Sequence, residues 1–429
     1  MITRRQFVKT ATGCAAAPLL PGTVFGGTAG GRQVEPHFFV FVQVYGAWDV
    51  CLAFDPKDRD ALLPSGERQY DQPYSMADVR EYANGIRLPP DGQILGSYAD
   101  RLSIVNGIDM AVDNGHLVDA MMSGFQSPRV LNLPYLQSVL AKRHPYLRTC
   151  SLPHLYASYD GQFFEGPLLG SSITATGRDF VAIVASSSKP GGMEDVQTMT
   201  SEYRNRQDTL ERRRAYGTYV DALGRAVAVG QRLRDSGFNP PDNVTSPDGF
   251  GTLLGQLFAS GVLGAATISP ASGSFGSPYF FDTHSDHYRQ HPIKRLLTDV
   301  DGLCRALAKV KLDEHTSVFE RTTVILAAEF CRTPRLNGSQ GKDHNFHTNS
   351  AAIIGYGARP GMFGISGAKQ EGSGWLGHAA LPISFATGQP RPSGHVLSAR
   401  NLWAGLGGVA GVDLTREFGT DTSPIQFLG

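Results

Sequence analysis

Residues 322–347, TTVILAAEFCRTPRLNGSQGKDHNFH, decide the fold and carry much of the candidate chemistry. The run Thr322–Ala328 is apolar and β-branched between polar neighbours, which predicts a buried strand. Four chemically active side chains follow it: Glu329, Arg332, Asp343 and His344. Ligands bind at the carboxyl ends of strands in open α/β sheets. The stretch therefore places acids, an imidazole and a guanidinium at a predicted ligand site.

Other apolar runs predict further strands, and helical patterns lie between them. The predicted strands are residues 37–45, 102–108, 180–185, 264–268 and 351–356. The predicted helices are residues 133–143, 199–236, 253–263, 293–309 and 399–412. Strands that alternate with helices predict an α/β fold with a largely parallel sheet.

Polar residues follow these runs and do not precede them. Asp49 comes after the first strand, and His116 lies in the first turn of a helix after the second. Asp282 and His284 come after residues 264–268. Because carboxyl ends of parallel strands share one edge, we expect these side chains to gather there with Glu329 and its neighbours.

Carboxylates and imidazoles at one edge favour a divalent metal, one or two ions of zinc, manganese or iron. Such an ion lowers the pKa of bound water or polarises a phosphoryl or sulfuryl oxygen. Arg332 is expected to hold an anionic group with two hydrogen bonds. The neighbours Asp343 and His344 reach one ion only if the backbone bends between them.

Each candidate also has an alternative interpretation. His116 alone is more often a structural hydrogen-bond partner. Glu329 and Arg332 could form an internal ion pair, and Asp282 could cap the following helix. His287 and His291 are four residues apart, but the proline after them argues against one continuous helix.

Composition excludes several classes of function. The 429 residues can form one large domain or two, and 39 basic residues balance 39 acidic ones. This balance argues against nucleic acid or an anionic membrane as partner. No apolar run of about twenty residues predicts a transmembrane span. Of the five cysteines, four follow the first thirty residues and lie far apart without a CxxC motif, which argues against a structural zinc cluster and leaves any disulfide pairing open: Cys51, Cys150, Cys304 and Cys331.

The first residues predict export. Residues 3–9, TRRQFVK, resemble a twin-arginine signal, and a weakly apolar stretch follows at 10–20. The alternative is a disordered basic tail. We expect a signal peptide at 1–29, one domain at 36–429, and a periplasmic or secreted protein.

Three motifs resemble the domain of unknown function 1501 proteins (DUF1501): EFCRTP at 329–334, Asp343-His344, and FDTH at 281–284. The resemblance implies an alkaline phosphatase-like α/β fold, with a largely parallel central sheet and helices on both faces. It also implies two metal positions at the carboxyl edge. Asp282, His284 and His344 would line one position, and Asp49, Glu329 and Asp343 would line the other.

The chain departs from this superfamily where the nucleophile is expected. Asn114, Gly115 and His116 stand where phosphatases carry Ser or Thr, and Cys51 lacks the Pro and Arg of a sulfatase motif. Cys331 replaces a usual Gly. We therefore expect a metal-bound water, not a side chain, as nucleophile.

The sequence thus predicts an exported metal-dependent hydrolase of phosphate or sulfate esters. Its substrate would be a small anionic ester, held by Arg332, with His116 as ligand or general acid/base. The alternative is a non-catalytic cell-envelope protein that keeps the fold, with or without a structural metal. A metal-dependent isomerase or transferase is a weaker third interpretation.

Overall fold

A computed structural model describes most of the chain. It covers residues 28–29, 32–110, 136–150, 154–158, 172–176, 232–233, 235–236, 238, 241, 246–268, 281–418 and 425–428. The predicted signal peptide, His116 with its helix, and the predicted elements at 180–185 and 199–236 lie almost entirely outside these residues.

The centre of the fold is an eight-stranded sheet. Its strands in chain order are β1 Phe38–Val44, β2 Leu102–Asn106, β3 His154–Ser158, β4 Ser172–Thr176, β5 Ala265–Ile268, β6 Thr322–Ala328, β7 Ser350–Gly355 and β8 Gly361–Gly364. They lie in the order β8-β2-β7-β6-β1-β5-β3-β4. The antiparallel pairs β6–β7 and β7–β2 show that β7 alone runs against the other seven. The prediction of an α/β fold with a mostly parallel sheet is confirmed.

The two central strands place the site. β6 pairs in parallel with β1 along its whole length, from Thr322 opposite Phe38 to Ala328 opposite Val44. Every residue of both strands is buried, as expected for apolar runs covered on both faces. Because the two strands end in register, the loops after them begin side by side.

Helices pack around this sheet. They are α1 Val50–Ala53, α2 Leu136–Arg143, α3 Pro247–Ala259, α4 His287–Gln290, α5 Ile293–Lys309, α6 Ala399–Ala410 and α7 Thr415–Phe418. The 3₁₀ turns are Met76–Asp78, Ala83–Gly85, Gln93–Tyr98, Leu147–Thr149 and Phe319–Arg321. Phe258 of α3 stacks on Phe38 of β1, with ring centroids 4.8 Å apart. A cover of helices on both faces stays a prediction.

Short strand pairs complete the described part. They are Thr28–Ala29 with Arg32–Gln33, Arg80–Glu81 with Arg87–Leu88, Ile108–Asp109 with Leu397–Ser398, Cys331–Arg332 with His344–Asn345, and Ser366–Glu371 with Gly374–Ala380. The pair formed by Cys331–Arg332 and His344–Asn345 closes the loop at the end of β6. No described helix is long and apolar enough to cross a membrane.

Candidate metal centre at the carboxyl edge of the sheet

Four polar side chains meet at the ends of β1, β5 and β6, and we call them the outer cluster: Asp282, His284, Asp343 and His344. Nε2 of His284 lies 3.0 Å from Oδ1 of Asp282 and 3.1 Å from Nε2 of His344. Oδ1 of Asp282 lies 3.8 Å from Nε2 of His344. The structure thus brings together the three residues that the family resemblance assigns to one metal position.

The spacing of these three atoms fits a transition metal. A triangle with sides of 3.0, 3.1 and 3.8 Å has a circumscribed circle with a radius of about 2 Å, close to the length of zinc–nitrogen and zinc–oxygen bonds. Two imidazoles and one carboxylate are also a donor set that zinc and iron accept. In the described part of the chain, no other group of three His, Cys, Asp or Glu side chains has ligand atoms this close together.

Asp343 fixes the orientation of His284. Its Oδ1 lies 2.8 Å from Nδ1 of His284, and Asn337 donates to that same oxygen at 3.0 Å and to the His284 carbonyl at 3.1 Å. The bond to His284 lowers the pKa of Asp343, which stays a carboxylate and accepts the Nδ1 proton. The lone pair of His284 Nε2 then faces Asp282 and His344, the arrangement that metal-binding histidines show.

Arg332 lies buried against the outer cluster. Its guanidinium donates to Asp282 Oδ1 at 2.7 Å, to the carbonyls of Phe281 and Lys342 at 3.0 and 3.1 Å, and to the carbonyl of Gly46. The side chain is fully buried. These contacts make Arg332 a positioning residue that ties three loops together. Its predicted role in holding an anion stays a prediction that the contacts do not favour.

Glycine allows the two ligand loops to approach each other. A Cβ atom on Gly341 would lie 1.9 Å from the carbonyl carbon of His284. Gly46, with φ of +95°, likewise brings the loop after β1 against the backbone of Asp282. The close approach lets Asp343 contact Nδ1 of His284 and His344 contact Nε2 of His284. That both residues reach one ion stays a prediction.

The remaining predicted ligands lie elsewhere. Asp49 belongs to a second, buried group that we call the inner cluster: Asp49, His287, His291 and Lys342. Asp49 Oδ2 accepts from Lys342 Nζ at 2.6 Å and lies 3.1 Å from His287 Nε2, while its backbone N–H donates to His291 Nε2 at 3.1 Å. Asp343 is on the outer cluster instead. Among the described residues, Asp49, Glu329 and Asp343 do not form a group of three whose ligand atoms lie close together.

Burial and charge work against each other in the inner cluster. Burial alone would raise the pKa of Asp49, but the charge of Lys342 and the bond from His287 hold it well below its usual range. Burial alone would lower the pKa of Lys342, but Asp49 raises it. Burial lowers the pKa of His287 and His291, so both imidazoles are neutral. The inner cluster is thus a carboxylate–ammonium pair flanked by two neutral rings.

Glu329 and Tyr45 stand between the ends of β1 and β6. Glu329 is buried, and its Oε1 accepts from the Gly46 N–H at 2.8 Å. Burial, followed by the negative charges of Glu329 and Asp282, raises the pKa of Tyr45.

The position of helix α4 decides two alternatives that the sequence left open: whether Asp282 caps a helix, and whether His287 and His291 share one. Asp286, not Asp282, stands at the N-cap position of α4. His287 starts α4, and His291 follows the end of that helix, so the two histidines are not on one continuous helix. His116 and the segment expected to carry a nucleophile lie outside the described residues.

Comparison with known families bears on the same region. The model of a family described as "Protein of unknown function (DUF1501)" matches residues 193–373. This match supports the DUF1501 family. The matched stretch contains the whole outer cluster, Arg332 and Lys342, whereas Asp49 precedes it. A search of curated proteins finds no match to the chain.

Proposed function

We propose that the protein is a metal-dependent hydrolase of phosphate or sulfate esters, with its ion held by Asp282, His284 and His344. The observation that carries the proposal is the arrangement of these three ligand atoms, with the second nitrogen of His284 held by Asp343. A divalent zinc, manganese or iron ion there would acidify water and polarise an ester oxygen.

The chain's own residues divide the remaining work. Arg332 holds the Asp282 carboxylate in place from the buried side. Asp343 keeps the His284 proton on Nδ1. His116 keeps its proposed role as a ligand or general acid/base.

Metal analysis and product assays test the proposal together. Protein purified without chelator should contain about one equivalent of a transition metal and hydrolyse an aryl phosphate or an aryl sulfate. Asp282→Asn should lose metal and activity. His315→Gln changes an exposed histidine that is not in the outer cluster, and this variant should keep both. Metal-free, inactive wild-type protein would sink the proposal. Bound metal without turnover on an ester panel would favour the non-catalytic envelope protein.

We also propose export by the twin-arginine route, on the strength of residues 3–9. The full chain should be found in the periplasm or medium of a host with this pathway. Arg4→Lys with Arg5→Lys should retain it in the cytoplasm. Equal export of both forms would contradict the proposal.

A further inference from the structure

The inner cluster has its own cation, and that cation is a side chain. Both oxygens of Asp49 are engaged: Oδ1 accepts from the Cys51 N–H at 3.1 Å, and Oδ2 meets Lys342 and His287. Asp49 and Lys342 are about as buried as side chains become, with 1% and 0% of the side chain exposed. The ammonium also lies over the ring of Tyr288, 5.2 Å from its centroid.

Lys342 joins the two clusters through its backbone. Its N–H donates to the carbonyl of Thr283, the residue between the ligands Asp282 and His284, at 3.1 Å. Its carbonyl accepts from Arg332 at 3.1 Å. Lys342 is itself two residues before His344. The ion pair with Asp49 therefore anchors the residue whose backbone joins the strand that carries His344 to the loop that carries Asp282 and His284.

A second ion at Asp49 is disfavoured by charge and by the lack of ligands. The pair of Asp49 and Lys342 is neutral, so a divalent ion added there would leave uncompensated positive charge in a buried place. Of the other residues expected at a second position, Asp343 binds His284, and Oε1 of Glu329 accepts from the Gly46 N–H.

We infer that the Lys342 ammonium stands in the place of a second metal ion, so that the centre holds one ion, and that Lys342 positions its ligands. This inference rests on the metal centre of the proposed function. It names Lys342 as a positioning residue, since its side chain reaches Asp49 and not the outer cluster.

The test compares two ion pairs whose basic residues, Lys342 and Arg335, lie on the same loop. Asp49→Asn with Lys342→Met removes both buried charges together, so neither is left unpaired. Glu67→Gln with Arg335→Met is the matched control, because Glu67 and Arg335 form a 2.9 Å pair with side chains 63% and 50% exposed. Each protein is stripped with chelator and titrated with Zn²⁺, and stoichiometry and affinity are measured by competition with a coloured chelator. Circular dichroism confirms that each is folded.

We expect one equivalent of Zn²⁺ for all three proteins. The Asp49/Lys342 double variant should bind about 10–100-fold more weakly than wild type, as for other losses of outer support at metal sites. The Glu67/Arg335 double variant should bind as wild type does. Two equivalents in wild type would overturn the inference, as would unchanged affinity in the folded Asp49/Lys342 variant or equal weakening in the control.

The number of Zn²⁺ ions bound and the rate of ester hydrolysis together show whether the inference or the proposed function has failed. One ion that binds weakly in the Asp49/Lys342 variant, without ester hydrolysis in wild type, supports the inference and contradicts the hydrolase. Two equivalents of Zn²⁺ in wild type, together with ester hydrolysis, contradict the inference and support the hydrolase. Absence of Zn²⁺ binding in wild type would contradict both.

Discussion

The outer and inner clusters contain the same kinds of side chain at the same edge of the sheet, yet they are suited to different tasks. In the outer cluster the side chain of His284 is 45% exposed, and its Nε2 faces two further ligand atoms. In the inner cluster the side chain of Asp49 is 1% exposed and faces the ammonium of Lys342. Asp282 is also paired with a cation, Arg332 at 2.7 Å, but the outer cluster has a second carboxylate, Asp343, whereas Asp49 is the one carboxylate of the inner cluster.

The largest expected effect is on stability. Lys342→Met leaves the Asp49 carboxylate buried without its countercharge, and should lower the free energy of unfolding by about 3–5 kcal/mol. Arg335→Met removes the same kind of charge from an exposed pair and should cost less than about 1 kcal/mol. Urea denaturation followed by circular dichroism measures both. Equal stability of the two variants would remove the contrast between buried and exposed pairs.

Stability should also depend on pH because of a buried histidine, His144, which lies near the first residues of β1. Burial lowers the pKa of His144 to about 4. Between this value and the ordinary 6.5, the unfolded chain binds a proton that the folded chain does not. The contribution of His144 to stability is therefore full above pH 6.5 and is lost as the pH drops toward 4, on the order of 3 kcal/mol.

His144→Phe should make this loss smaller by about that amount, because it removes one titrating ring and keeps a ring beside Phe39. The other buried histidines with lowered pKa values keep their share of the loss. Denaturation of wild type and of this variant at a series of pH values from 7 to 4 measures the difference. An unchanged slope in His144→Phe would show that His144 is not the cause.

Removing a ligand of the outer cluster should affect metal and spare the fold. Loss of a group that supports a metal ligand weakens metal binding by about 10–100-fold. His344→Ala removes a ligand itself, so it should weaken Zn²⁺ binding by more than this. The free energy of unfolding of the metal-free protein should change far less than in Lys342→Met, because the His344 side chain is partly exposed and lies outside the buried ion pair. Wild-type affinity in His344→Ala would remove this residue from the centre.

The smallest expected effect comes from the glycine that lets the loops approach. Gly341→Ala places a methyl carbon 1.9 Å from backbone atoms of His284, so the loop must move, and Zn²⁺ binding should weaken at least about tenfold, the lower end for loss of support at a metal site. Gly338→Ala on the same loop meets nothing within 4 Å and should bind normally. Equal affinities would show that the loop adjusts without moving His344.

Much of the fold could be predicted because its signals are local. β6 and α5 begin and end where the apolar patterns predicted, at Thr322–Ala328 and Ile293–Lys309. The reversed direction of β7 was not predicted, because an apolar run looks the same in either direction. The absence of a helical pattern between β6 and β7 was a usable signal, since parallel neighbours need a crossover.

The outer cluster could be predicted because strand ends meet at one edge, and Asp282, His284 and His344 are there. The buried position of Lys342 could not be predicted, since a lysine in the polar run Ser-Gln-Gly-Lys resembles any solvated loop residue. Its burial depends on Asp49, which is 293 residues away in the chain. Pairing at that separation leaves no local trace in one sequence.

The central claim is that Asp282, His284 and His344 hold a single divalent ion. Anomalous diffraction from crystals of protein purified without chelator tests it most directly, with data on both sides of the absorption edge of the metal found by elemental analysis. We predict one anomalous peak about 2 Å from each of the three ligand atoms, with Lys342 still on Asp49. A second peak at Asp49, or no peak at the outer cluster, would contradict the claim.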